Sequence, residues 1–179
     1  MKKFEVIENF YTDTQLGQLY FLSKTLPFDA TYQPRGIYYP NRMKAYPCYE
    51  TRPFEPGSEP YKWLYDNLTK QNLKIKNLRT FIRKAIWSEV SKCPEMKYGQ
   101  IPHQDVDVDV AGVIYYNDYS LENGTRLYSY QFQVEPDILI GSKPNRCVFY
   151  DAKTWHSVGY DPACEERIIQ PFFITLDDV

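Results

Sequence analysis

The pattern of apolar and polar positions predicts helices in the first half of the chain. FEVIENF, near the N-terminus, alternates as a strand does, and Asp13 is expected to cap the helix that follows, which Pro27 ends. Residues 59–70 predict a second helix, whereas Leu78 to Val90 fits a helix or a strand equally well. The apolar residues at helical spacing are Leu16, Leu19, Tyr20 and Leu26 in the first helix and Trp63, Leu64 and Leu68 in the second.

From Met96 onward the pattern changes to short β-rich segments separated by turn signals. The segments are VAGVIYYN, TRLYSYQFQV, RCVFYD, HSVGY and RIIQPFFITL, with SLENG and GSKPN as turns. Many short strands at such spacing are typical of an antiparallel sandwich or barrel. We therefore predict a mainly β fold with packed helices, of the α+β class. It forms one domain over 1–179, with a helical or irregular part over 1–95 and a β-core over 96–176.

The segment from residue 31 to residue 60 shows no sustained period. It is rich in proline and contains Arg35, Arg42, Lys44 and Arg52. Long irregular segments in compact domains are often functional. We expect this one to act as a lid over a substrate and, with loops such as 118–125, to supply substrate contacts.

The composition indicates which binding partners and which cellular compartment to expect. The 179 residues carry 21 basic and 23 acidic side chains, for a net charge of −2, and no long run of one sign. This balance makes nucleic acid an unlikely partner and gives no reason to expect an anionic membrane. The four cysteines are far apart and form no zinc or redox motif, and no apolar run is long enough for a membrane span. We predict a cytoplasmic protein.

The candidate chemistry lies with the two histidines of the chain, His103 and His156. Residues two apart on a strand point to the same face, so His103 and Asp105 of IPHQDVDVDV are expected to project together. A sandwich can bring His156 back across its interior to join them. Two histidines and one carboxylate on one face of a metal are the ligand set of non-haem Fe(II) oxygenases. Asp107 and Asp109 share the strand face and rival Asp105, and an isolated HxD pattern also arises by chance as a surface hydrogen bond.

Residues 96–176 resemble the 2-oxoglutarate- and Fe(II)-dependent dioxygenases, especially their prolyl-hydroxylase-like branch. KYGQIPHQD and GVIYYND are similar to the strand that enters HxD and the strand that follows, and NGTRLY to a turn where many members have a glycine pair. NRCVFYDAKTWHSVGY resembles the segment of the distal histidine, and ERIIQPFFITL the closing strand with its basic residue. FEVIENFYTDTQ is similar to the usual opening into the first helix.

The resemblance implies a double-stranded β-helix, or jelly-roll, core with helices packed on one sheet. It also implies that His103, Asp105 and His156 bind Fe(II), and that 2-oxoglutarate and O2 are cosubstrates. The expected reaction converts the keto acid to succinate and CO2 while a C–H bond of the substrate is hydroxylated. Substrates open to this chemistry are a residue in a protein or peptide, a free amino acid and a small metabolite.

The 2-oxoglutarate site is implied in the same way. Arg167 matches the residue that binds the distal carboxylate of the keto acid, for which a planar guanidinium is well suited. Tyr115 matches a tyrosine whose hydroxyl reaches the same carboxylate, and Tyr98 is a weaker candidate for lining the pocket. The alternatives are an Arg167 that is paired with Glu165, an Arg167 that is solvated beside Glu165 and Glu166, and a Tyr115 that is ordinary core.

Two other functions remain open. A noncatalytic jelly-roll binding module would keep the shape, although its metal triad would be expected to be eroded. A cupin-like metalloenzyme that does not use 2-oxoglutarate would not need Arg167. A nucleic-acid demethylase is disfavoured, because RIIQPFFI has a single arginine where that branch carries two.

Overall fold

The computed structural model describes residues 4–30, 48–90, 102–117 and 119–177. Its helices are α1 (Asp13–Thr25), α2 (Glu59–Thr69) and α3 (Trp87–Val90). Its strands are β1 (Phe4–Ile7), β2 (Asp29–Ala30), β3 (Tyr49–Glu50), β4 (Ile75–Thr80), β5 (Arg83–Ile86), β6 (Val110–Tyr115), β7 (Ser120–Tyr128), β8 (Ile138–Ser142), β9 (Cys147–Asp151), β10 (Trp155–Val158) and β11 (Glu166–Leu176). Residues 31–47 of the proposed lid lie outside the described residues.

The strands form two antiparallel sheets, which confirms the prediction of a mainly β protein with packed helices. The major sheet runs β1-β9-β6-β11-β5-β3-β2, with β4 also paired to β11. The minor sheet runs β10-β7-β8. Every strand pair is antiparallel.

Each face of the major sheet is covered by a different layer. The face toward the helices packs Ile168 and Phe172 against α1 and α2 through Leu19 and Leu64. The opposite face, here called the inner face, packs against the minor sheet in a cluster that we call the inter-sheet cluster: Ala111, Val113, Tyr115, Leu127, Ile140, Val148, Tyr150 and Ile169, with Phe4 and Phe173 at its edge. Because β11 is covered on both faces, residues 167–172 are all buried, including the polar side chains of Arg167 and Gln170.

The helices lie where the apolar spacing predicts them, with one correction at the start of α1. Thr12, not Asp13, is the cap, and its hydroxyl accepts a hydrogen bond from the Gln15 amide while the Gln15 side chain accepts one from the Thr12 amide. Asp13 is instead the first helical residue, where a carboxylate favours the positive end of the helix dipole. Within the described residues, no helix has the length and apolar character needed to cross a membrane.

The expected turn at SLENG is wrong, because these residues lie inside β7. The pairing of β7 with β8 shifts register between Ser120 and Thr125, so the Asn-Gly signal marks an irregularity within a strand. A Cβ at Gly124 would lie 1.9 Å from the Ile140 carbonyl oxygen. Close contact between two backbones therefore requires glycine here. The ambiguous stretch from Leu78 onward forms the end of β4, then β5 and the short α3.

A buried polar network ties the helical layer to β11 through Gln170. The Gln170 Oε1 atom accepts hydrogen bonds from the Tyr11 hydroxyl at 2.9 Å and the Tyr116 hydroxyl at 2.7 Å. The Gln170 Nε2 atom donates to the Thr80 hydroxyl at 3.2 Å, and that hydroxyl donates to the Pro171 carbonyl. Every polar atom of this amide is used except one N–H, so the network holds three segments in one arrangement.

Replacing Gln170 with leucine should destabilise the fold by about 3 kcal/mol, because two buried hydroxyls lose their acceptor. Urea unfolding followed by circular dichroism measures the loss. Gln18→Leu, at an exposed position of α1, makes the same chemical change and should stay within about 0.5 kcal/mol of the original protein. Equal losses in the two variants would mean that the network adds nothing.

Candidate metal and keto-acid site

The structure brings His103, Asp105 and His156 together. One ligand-type atom from each lies within 4.8 Å of the other two. His103 pairs with His156 through two backbone hydrogen bonds of 2.9 Å, one in each direction. The Asp105 amide donates to the Ala152 carbonyl, at the turn between β9 and β10. Backbone bonds therefore hold all three residues against one end of the minor sheet.

The His156 ring is oriented for metal binding. Its Nδ1 atom lies 3.0 Å from the Thr154 carbonyl oxygen, which can only accept, so Nδ1 carries the proton. The Nε2 atom is then the one with a free lone pair, and it lies 3.4 Å from Oδ2 of Asp105. A histidine that donates one ring N–H to a carbonyl and offers the other nitrogen is the usual form of a metal ligand.

Burial shifts the proton equilibria of this cluster. It lowers the pKa of His156 to about 3, with help from the charge of His103 and against the hydrogen bond to Thr154. Burial also raises the pKa of the Asp105 carboxyl, while the positive charges of His103, Arg83 and Arg79 oppose that rise. His156 is therefore a neutral imidazole at ordinary pH, the form that coordinates metal. A divalent cation would stabilise the desolvated carboxylate beside it.

The two alternative carboxylates, Asp107 and Asp109, lie in different surroundings from Asp105. Asp107 is exposed and has a positive φ of 63°, so the chain turns there. Asp109 accepts a hydrogen bond from the Leu176 amide on its Oδ2. The expectation that Asp105 lies on a strand is wrong: only His103 forms a bridge, and residues 104–106 are irregular. Asp105 meets His103 because backbone bonds to Ala152 and His156 fix both ends of the short segment.

Arg167 and Tyr115 lie together on the inner face. Arg167 is 3% exposed and its Nε atom donates to the Asn123 carbonyl at 2.9 Å. Its guanidinium carbon lies 5.5 Å from the centre of the Tyr115 ring, and the Tyr115 hydroxyl is hydrogen-bonded to the Thr125 hydroxyl. Burial raises the pKa of Tyr115, and the nearby charge of Arg167 and the bond to Thr125 oppose the rise.

The buried charge of Arg167 has no carboxylate within 4.0 Å among the described residues. The alternative partner, Glu165, is exposed, and its backbone carbonyl accepts a hydrogen bond from the Trp87 amide. A buried cation without an anion is strongly disfavoured. Among the described residues, the charge of Arg167 is therefore left without a counter-charge.

Two residues of this region were missed from the sequence. Tyr150 is 5% exposed, and its ring centre lies 4.6 Å from that of His156. Burial raises the pKa of Tyr150 well above its usual value, Asp105 and Tyr115 add to the rise, and Arg167 opposes it, so this side chain lies between the two halves of the site. Thr125 was missed because it follows the apparent turn. Alternate residues of a strand share one face, and Tyr150 lies two residues after Val148 on β9, so this spacing could have indicated that Tyr150 faces the interior. Tyr98 lies outside the described residues.

Acidification should destabilise the metal-free protein through His156. In the unfolded chain its pKa is the ordinary 6.5, whereas in the folded protein it is about 3, so only the unfolded state gains this proton between those values. The contribution of His156 to the free energy of unfolding should therefore fall by about 2 kcal/mol from about pH 7 to about pH 5. Urea titrations at the two pH values should give a smaller drop for His156→Gln, and identical drops would contradict the shift. Asp105, with its raised pKa, acts in the opposite direction and is present in both proteins.

No protein-family model matches the chain, and no curated protein matches it. Several solved structures match it. A prolyl-4-hydroxylase from Pseudomonas putida superposes with a TM-score of 0.62 at 11% identity, over 98% of this chain and 94% of that one. HygX from Streptomyces hygroscopicus, with nickel, 2-oxoglutarate and hygromycin B bound, gives 0.65 at 11% identity, over 97% and 83%.

A third match is a 2OG-Fe(II) oxygenase family oxidoreductase from Burkholderia pseudomallei, with a TM-score of 0.59 at 11% identity over 97% of this chain and 84% of that one. The chain has the fold of these oxygenases. At this level of identity the likeness concerns the path of the backbone. The donor set and the buried arginine are features of this chain's own side chains.

Proposed function

We propose that this protein is an Fe(II)- and 2-oxoglutarate-dependent oxygenase of the prolyl-hydroxylase-like branch, with a double-stranded β-helix core in a single domain over 1–179. Its substrate is a residue of a protein or peptide, an amino acid or a small metabolite, hydroxylated in the cytoplasm. The observation that carries the proposal is the pairing of two features in one interior. A two-histidine, one-carboxylate cluster at one end of the minor sheet contacts Tyr150 of the inter-sheet cluster, and the inner face of the major sheet carries a buried arginine that has no carboxylate partner among the described residues.

The donor set fits iron. His103, Asp105 and His156 offer two imidazole nitrogens and one carboxylate oxygen, the donor set that would hold Fe(II) here. His156 is held in the correct tautomer by the Thr154 carbonyl. When bound, Fe(II) with 2-oxoglutarate and O2 supplies the oxidation of a C–H bond, and the keto acid leaves as succinate and CO2.

The other side chains of the candidate site would bind 2-oxoglutarate and orient it. Arg167 would hold the distal carboxylate of 2-oxoglutarate through charge-assisted hydrogen bonds. The Tyr115 hydroxyl, already aligned by Thr125, lies beside the guanidinium and could donate to the same carboxylate. Tyr150 packs on His156 and would help to keep water from the interior between the metal ligands and Arg167. Tyr98 stays a candidate for lining this pocket.

The cupin-like alternative shares the metal ligands and differs in Arg167. A metalloenzyme that uses no keto acid has no need of a buried cation on the inner face, and a noncatalytic module has no need of three converging donor atoms. The arginine therefore favours the oxygenase over both.

Succinate formation tests the proposal. Purified protein with Fe(II), 2-oxoglutarate and air should release succinate slowly without substrate and faster with peptides or metabolites that are hydroxylated. Mass spectrometry of the added compounds then identifies the product. Release that persists in His103→Ala and His156→Ala proteins would come from another source and would contradict the proposal.

A further inference from the structure

A second cationic feature lies on the inner face, formed by Arg79, Phe81, Arg83 and Phe173. We call it the arginine–phenylalanine patch. The Arg79 guanidinium carbon lies 5.0 Å from the centre of the Phe173 ring and 5.6 Å from that of Phe81. The Arg83 guanidinium carbon lies 5.3 Å from the centre of Phe81. The two rings stack with centres 6.3 Å apart. Guanidinium groups held over rings keep their N–H edges available for an anion.

Strand pairing places this patch on the side of the metal ligands. Phe173 of β11 is paired with Arg79 of β4 on one side and with Ala111 of β6 on the other. Directly paired residues point to the same face of a sheet, and Ala111 and Phe173 belong to the inter-sheet cluster. Arg83 is paired with Ile169, which belongs to the same cluster. Ala111 is paired in turn with Tyr150 of β9, whose ring centre lies 4.6 Å from that of His156.

The two arginines differ in what neutralises them. Arg83 makes an ion pair with Glu50, with an N–O distance of 2.5 Å. Arg79 is exposed, and among the described residues no carboxylate lies within 4.0 Å of it. Arg167, deeper on the same face, is assigned to the keto acid. Counting only the described part of the chain, the patch therefore presents one guanidinium without a carboxylate partner, backed by two aromatic rings, on the side of the metal ligands.

We propose that the substrate carries a carboxylate or phosphate group, which Arg79 binds while the rings of Phe81 and Phe173 support the guanidinium. This rests on the proposed oxygenase function and narrows its substrate class. The anion would be fixed at the patch, and the carbon to be oxidised would extend from it toward the metal ligands. Neutral metabolites and uncharged peptide segments are poorer substrates on this account, because they form no ion pair with Arg79.

The Arg83–Glu50 ion pair makes a purely structural role for the arginine–phenylalanine patch less favourable. If the patch served only to hold the sheet edge, the ion pair and the ring contacts would suffice, and a second guanidinium over the same rings would add charge repulsion. Two cations near each other are stabilised when an anion is bound between or beside them. The arrangement thus favours a ligand over a purely structural role.

The test measures binding of small probes to protein loaded with Mn(II) and saturating 2-oxoglutarate, which occupies Arg167. The probes are benzoate, phenyl phosphate and the neutral benzamide. Paramagnetic relaxation of their ring protons, relative to Zn(II)-loaded protein, reports binding close to the metal. Benzoate or phenyl phosphate should bind, and the stronger of the two indicates the class of anion. Benzamide should bind at least about 10-fold more weakly.

Arg79→Gln should weaken binding of the anionic probes at least about 10-fold, and Arg79→Lys should restore part of it. Lys62→Gln, which removes one charge from an exposed position of α2 on the helical layer, is the control and should bind the probes normally. The inference is overturned if no probe is relaxed, if benzamide equals benzoate, or if the Arg79 and Lys62 variants behave alike. Failure to load Mn(II) or 2-oxoglutarate would instead contradict the proposed function, so the two failures are distinguishable.

Discussion

His156→Ala and His103→Ala proteins are expected to lose tight binding of Fe(II) and Mn(II). The three candidate ligand atoms lie within 4.8 Å of one another, so removing either imidazole would leave a metal two donors instead of three. Residues that only orient a metal ligand are worth about 10- to 100-fold in affinity, and loss of a ligand itself should cost at least about 100-fold. Titration calorimetry with Mn(II) measures the affinity, and circular dichroism verifies that each variant is folded.

Asp107→Asn is the matched control for the metal ligands. Asp107 is two residues from Asp105 but is exposed, and asparagine tolerates its positive φ. This variant should bind Mn(II) with nearly the original affinity, whereas Asp105→Asn should not. If Asp107→Asn loses the metal and Asp105→Asn keeps it, the assignment of the carboxylate ligand is wrong.

Arg167→Ala should weaken 2-oxoglutarate binding by about 2 to 5 kcal/mol and leave Mn(II) binding intact. The guanidinium is buried beside Tyr115 and has no carboxylate partner among the described residues, so we expect the keto acid to supply the paired charge. The melting temperature of the ligand-free variant should change little, because removing an unpaired buried charge offsets the lost packing. Calorimetric titration of 2-oxoglutarate into Mn(II)-loaded protein gives the affinity.

The Glu165→Gln variant tests whether Glu165 or 2-oxoglutarate neutralises the charge of Arg167. If Glu165 neutralised the guanidinium, this variant would lose thermal stability and keep its affinity for the keto acid. The structure predicts that it changes neither quantity, because Glu165 is exposed. A fall in the melting temperature of both the Arg167 and Glu165 variants, with unaltered 2-oxoglutarate affinity, would contradict the assignment of Arg167.

The fold and the site differ in how far local sequence determines them. The β-rich segments after residue 96 alternate strongly enough to indicate strands, and the scarcity of histidine singles out His103 and His156. The prediction failed where the same residue types suit two different local structures, a tight turn and a bulge within a strand. Asn123-Gly124 signals a tight turn, but here the glycine allows two strands to approach within a bulge.

The parts that could not be predicted depend on strand pairing between distant segments. Arg79, Phe81 and Arg83 alternate along the chain, and this signal could have indicated one shared face. Which face that is, however, depends on the pairing of β4 and β5 with β11, some 90 residues away. Tyr150 likewise joins the site only because β9 lies beside β6. The substrate, the branch and the role of Tyr98 remain predictions.

An anaerobic titration of the Fe(II)-loaded protein with 2-oxoglutarate tests the central claim most directly. Chelation of Fe(II) by a keto acid produces a charge-transfer band in the visible spectrum, which neither component shows alone. The account predicts that the band appears and saturates at one equivalent of each. It should be absent in His156→Ala and need a much higher keto-acid concentration in Arg167→Ala. A folded protein that shows no band with both components present would contradict the account.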